Sequence, residues 1–172
     1  VGDRAAGAVV TGRTVVLEVA RLEAAHLSAL VGQFAELVGG ATPADEDPAI
    51  ARLVPTAYPD DHEAAREFRS LTENDLLARR RADAEIVLFS LAGAAHLSDD
   101  PDDPAMLEQV EIRLEPETVR AWLRTLAAVR LVLAERLQIT EPEDHDPDDS
   151  RFGIYDWLGY RLDGLVASFD AS

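Results

Sequence analysis

Residues 62–93 read HEAAREFRSLTENDLLARRRADAEIVLFSLAG, and the reading of this stretch decides the fold. Asp60 or Asp61 is placed to cap a helix over His62–Ser70, because an aspartate oxygen accepts from the free amides of a first helical turn. Phe68 and Leu71 mark that helix's apolar side. Thr72 with Asp75 three residues on resembles a capping box, although Glu or Gln is usual at the third position, and predicts a second, longer helix ending near Gly93. Ile86, Val87, Leu88, Phe89 and Leu91 nearly encircle its last turns, which predicts deep burial there. Arg79, Arg80 and Arg81 lie on this helix, with Arg66 and Arg69 on the one before.

On the N-terminal side, Leu27, Leu30, Val31, Phe34, Leu37 and Val38 keep helical spacing from Glu23 until Gly39-Gly40 stops them. Val9-Val10 and Val15-Leu17-Val19, around Thr11-Gly12-Arg13, read as a β-hairpin. Asp47-Pro48 opens a short helix through Leu53, since Pro at the first helical position forfeits no bond.

On the C-terminal side, Val110, Ile112 and Leu114 alternate as a strand. A helix from Pro116 carries Val119, Trp122, Leu123, Leu126, Val129, Val132 and Leu133. A last helix over about 153–169 turns Ile154, Trp157, Leu158, Leu162, Leu165 and Val166 inward. Shifting the chain by 95 positions superposes Leu17 on Ile112, Val19 on Leu114, Leu27 on Trp122, Val31 on Leu126 and Phe34 on Val129. Two copies fall short of the three or more expected of repeat proteins, so the echo reads as a shared type of strand-to-helix junction. The expected architecture is one mainly α domain over 1–172. It holds a bundle of five or six helices and a small antiparallel sheet made of the N-terminal hairpin and the strand near 110–114.

Composition sets the function classes. The 172 residues carry 16 basic and 33 acidic side chains, a net charge of −17, with 47% hydrophobic residues. A chain of that length buries roughly 70% of its unfolded surface, enough for one real core. The apolar content excludes a disordered acidic tail, and the acidic excess argues against a coat for phosphate backbones. There is no cysteine, which removes disulfides, thiolate zinc sites and thiol redox switching. Every basic residue is Arg, read as high-GC codon usage. No apolar run reaches the roughly 18 residues of a membrane span, and the first ten residues lack a signal-peptide pattern. A cytoplasmic bacterial protein is expected, with no membrane partner.

The motifs that would carry chemistry fall short. His62-Glu63 begins like a zincin helix, but Arg66 stands where the second His is needed. The run from Asp144 to Asp149 alternates carboxylates as a calcium loop does. Asp149 and Tyr155 occupy the positions of the required Gly and bidentate Glu. This stretch and Ser98–Pro104 read as hydrated acidic loops, near 140–149 and 98–104. No nucleophile triad or phosphate loop is found, so no catalytic residue, metal or cofactor is expected. Arg66, Arg69, Arg79, Arg80 and Arg81 are the candidate contacts for nucleic acid or an acidic partner. The competing reading neutralises them internally, Asp75 with Arg79 and Arg81 with Glu85 being i, i+4 pairs. Tyr155, Trp157 and Tyr160 are candidate interface residues, with Trp157 equally placed to be core.

The segment Pro55–Asp61, the run Glu63–Glu85, Leu126–Leu137 and the YDWLGY of Tyr155–Tyr160 together resemble, in order, an actinobacterial family first catalogued as a domain of unknown function. That family includes the oxidative-stress transcriptional regulator AosR. The resemblance implies a non-enzymatic, homodimeric regulator. Its partner would be a protein such as a sigma factor or polymerase, with direct DNA binding a weaker expectation at −17. The family's genes often neighbour the Clp protease adaptor, which implies an alternative role in regulated proteolysis. Cysteine-based sensing cannot carry over to a chain without cysteine.

Overall fold

A computed structural model describes residues 14–40, 42–54, 57–58, 60–100, 102–141, 144–146 and 148–170. Its elements are β1 (Val15–Ala20), α1 (Arg21–Gly39), α2 (Pro48–Leu53), α3 (His62–Leu91), β2 (Gln109–Leu114), α4 (Pro116–Arg136) and α5 (Gly153–Asp170), with 3-10 turns at Pro104–Leu107 and Ser150–Phe152. Among the described residues, five α-helices and a two-stranded antiparallel sheet make the fold mainly α. The expected first hairpin strand at Val9-Val10 lies outside the described residues. The strand at 15–20 pairs antiparallel with β2, as expected for the strand near 110–114, Leu17 opposite Ile112 and Val19 opposite Val110.

The offset of 95 positions takes on spatial meaning here. Leu17 and Ile112, superposed by that shift, are also register partners, so the two antiparallel strands meet at that one matched pair, while Val19, superposed on Leu114, lies opposite Val110. Leu27, Val31 and Phe34 on α1 and Trp122, Leu126 and Val129 on α4 are all buried.

Local chemistry starts and stops the helices. Asp47 accepts from the Ala49 amide at 2.8 Å, with Pro48 first in α2. Asp61 accepts from Glu63 and Ala64 at 3.1 and 3.0 Å. Thr72 starts no helix: α3 runs unbroken for 30 residues, and the Thr72 hydroxyl donates to the Phe68 carbonyl four residues back at 2.9 Å. A threonine inside a helix has that bond available, so the local capping signature loses to the continuing ladder. α4 ends without glycine. Gln138 adopts φ 59°, while the Gln138 and Ile139 amides donate to Glu135 and Ala134 at 3.1 and 2.8 Å. That is the double bond of a Schellman motif, closed by a side chain that left-handed backbone disfavours.

α4 is central, packed on α2, α3 and α5, while α1 covers another side of α3. Trp122 sits fully buried among Leu126, Val87, Leu91, Leu114, Leu158 and Leu165 in one core cluster. Several residues read as inward are instead exposed: Phe68, Leu71, Ile86 and Phe89 on α3, and Ile154 and Val166 on α5. A helix turns 100° per residue, so neighbours on one side cannot cover an encircling apolar run. α1 and α4 take the side of Leu77, Ala84, Val87 and Leu91, and the opposite side of α3 faces solvent.

Candidate functional site

Arg79, Arg80 and Arg81 are consecutive on α3 and therefore point about 100° apart. Arg80 turns inward, half-buried, and donates to the Leu53 carbonyl at 3.0 Å. Leu53 ends α2, where carbonyls lack helical partners and a cation is favoured. Burial pushes the Arg80 guanidinium below its ordinary pKa, against the pull of Asp83. Arg81 turns the other way and pairs with Glu85 at 3.0 Å, as its spacing predicts. Its guanidinium lies over Gly39, where a Cβ would come within 2.8 Å. Arg79 is exposed; it makes no ion pair with Asp75, and neither has a partner among the described residues.

Arg79 and Arg80 join Arg124 around a cavity of about 420 Å³ between α3 and α4, floored by Phe34, Leu76 and Ala128. Arg124 is held there by Asp83 through two hydrogen bonds of 2.7 Å, which raise its pKa. Arg66 and Arg69 lie in a separate groove near the start of α3, beside Asp45 and Glu73. From Arg66 to Arg81 the helix rises about 22 Å, more than two screening lengths at physiological salt. The five candidate arginines thus divide among separate environments and do not form one face.

The α5 aromatics also separate. Tyr155 is half-buried under the Arg130 guanidinium, 4.1 Å from the ring centroid, and neighbours His145. Trp157 is half-buried, and its indole N–H donates to Glu23 at 3.3 Å. Glu23 also accepts from the Ala20 amide at 3.1 Å and from Arg161 at 2.6 Å, joining α5 to the β1–α1 junction. Burial alone would raise the Glu23 pKa; the Ala20, Arg161 and Trp157 donors outweigh it and hold the carboxyl below its ordinary value. Tyr160 is 75% exposed.

The feature that sequence reading missed is the outer face of α3. Phe68, Leu71, Asp75, Ala78, Ala82, Ile86 and Phe89 recur at spacings of three and four, so they form one stripe. Every member is exposed, Phe89 at 87% and Leu71 at 73%. Tyr58 extends its N-terminal end, edge-on to Phe68 with 6.1 Å between ring centroids. The repeat is legible in the sequence; its exposure is not, because that depends on which side α1 and α4 take.

The acidic loops use carboxylates on their own backbone. Asp100 accepts from Asp102, Asp103 from Ala105, and Asp144 from Thr140 and Glu141. Among the described residues, no three His, Asp or Glu side chains lie close enough together to hold a metal. No helix among them is long and apolar enough to cross a membrane.

Fold and surface together define a mainly α domain with arginines split along one long helix and an apolar stripe on that helix's free face. The chain belongs to the family described as Domain of unknown function (DUF2017), matched over residues 5–169. No curated protein and no solved structure matches it.

Proposed function

We propose that this chain is a non-enzymatic regulatory protein that works as a homodimer through protein contacts, its target lying in the transcription machinery, such as a sigma factor or polymerase surface. The observation that carries the homodimeric part of this reading is the exposed apolar stripe of α3, a surface of the kind that marks protein interaction sites. Two further features favour a protein over DNA. The net charge is −17. The arginines that would have to form a phosphate-binding face lie apart, with Arg80 committed to Leu53 and Arg81 to Glu85. The oxidative-stress role of a regulator in the family it resembles supplies the regulatory setting, without cysteine sensing. A module serving Clp-type proteolysis is the second reading, resting on gene neighbourhood alone.

The test is fluorescence anisotropy of the labelled full chain against purified sigma factor, RNA polymerase and Clp adaptor, with a DNA retention assay at low salt. Saturable binding to sigma factor or polymerase supports the transcriptional reading. Binding to the Clp adaptor alone replaces it with the second. DNA retention that falls steeply with salt overturns the protein-contact reading.

A further inference from the structure

The stripe on α3 is self-complementary. Phe68 and Leu71 form an apolar group near one end, Ile86 and Phe89 a matching group near the other, and exposed Ala78 and Ala82 lie between. A two-fold axis between Ala78 and Arg79 would set each Phe68 opposite Phe89 of a second copy, and each Leu71 opposite Ile86. Small residues at the centre allow axes to approach at the short end of the 8–10 Å seen for packed helices. The charges agree with the same axis. Asp75 is acidic, Arg79 is basic, and neither has a partner among the described residues. In antiparallel pairing Arg79 of one copy faces Ala78 of the other, one turn from Asp75. Symmetry repeats that ion pair, as an isologous interface requires.

We infer that α3 packs antiparallel against α3 of a second copy about this axis, with Arg79 of each copy bonded to Asp75 of the other. The inference rests on the homodimeric reading above and gives it a surface and a register. From Phe68 to Phe89 the stripe is about 32 Å long. A single helix face of that length makes an interface at the small end of specific contacts, the class in which weak and transient association is common. The two charges desolvated beside apolar neighbours select the antiparallel register over a parallel one, in which Arg79 would meet Arg79.

The experiment is sedimentation velocity of the full chain across micromolar concentrations, for wild type, Asp75→Arg, Arg79→Asp and the double reversal, with circular dichroism to establish that each is folded. Each single reversal places like charges together and weakens the dimer at least about tenfold. The double reversal restores opposite charges and returns affinity to within about threefold of wild type. A dimer that ignores both single reversals overturns the α3 register while leaving homodimerisation standing. A wild-type chain that stays monomeric throughout overturns both.

Discussion

The Arg80 guanidinium donates to the Leu53 carbonyl at 3.0 Å, which ties the middle of α3 to the last residue of α2. The most basic triplet in the chain thus spends its central member on a helix end. Arg80→Ala leaves that carbonyl without its charged donor and is expected to cost about 2 kcal/mol. Urea unfolding would show a lower midpoint, with no change in self-association at matched folded fraction.

A second buried contact joins α3 to α4. The Trp122 indole N–H donates to the Ser90 hydroxyl at 2.9 Å, and Ser90 donates in turn to the Val87 carbonyl at 2.7 Å. Ser90→Ala strands the indole N–H in the core, at a cost of about 1–3 kcal/mol. In a Trp122→Phe background the same change is expected to cost less, and the double-mutant cycle measures the difference.

Gln138 is held at φ 59° by the bonds that close α4. Gly adopts that conformation without the Cβ penalty, so Gln138→Gly is expected to stabilise the protein by about 1 kcal/mol despite the entropy Gly loses on folding. A rise in the thermal midpoint is the readout.

Acid should weaken the docking of α5 through Glu23. Its carboxyl pKa in the folded chain lies below the ordinary 4.5, so its contribution is fully present above that value and is lost as pH falls through the lower folded value. The stability difference between wild type and Glu23→Gln is therefore constant from neutral pH to about 5 and shrinks below it. Denaturant titrations followed by tryptophan fluorescence would show this, since Trp157 donates to the same carboxylate.

How much the sequence discloses depends on the range of the physics involved. α1, α2 and the start of α4 are legible because periodicity, Asp47 and the prolines act within a few residues. The false boundary at Thr72 comes from the same local reasoning, as its hydroxyl serves the Phe68 carbonyl equally well. The two strands are legible as alternating runs, and their meeting in one small sheet is expected, but the register that sets Leu17 against Ile112 joins residues 95 positions apart, and no local pattern encodes it. Arg81 with Glu85 follows from spacing. The anchoring of Arg80 on Leu53 follows only once α2 is in place. The exposure of Phe89 is not legible, since an apolar run looks buried until the neighbours are known to cover one side.

The central claim, antiparallel self-pairing along α3, is tested most directly by distances between spin labels. A chain without cysteine accepts them cleanly at Asn74→Cys or Glu67→Cys, exposed positions of α3 outside the stripe. Electron–electron resonance on the dimer should give a separation under about 25 Å for the label at 74, which lies about 7 Å along the helix from the axis. For the label at 67 it should give about 35 Å, twice the axial distance to the axis. Short distances at both positions, or none at 74, would contradict the account.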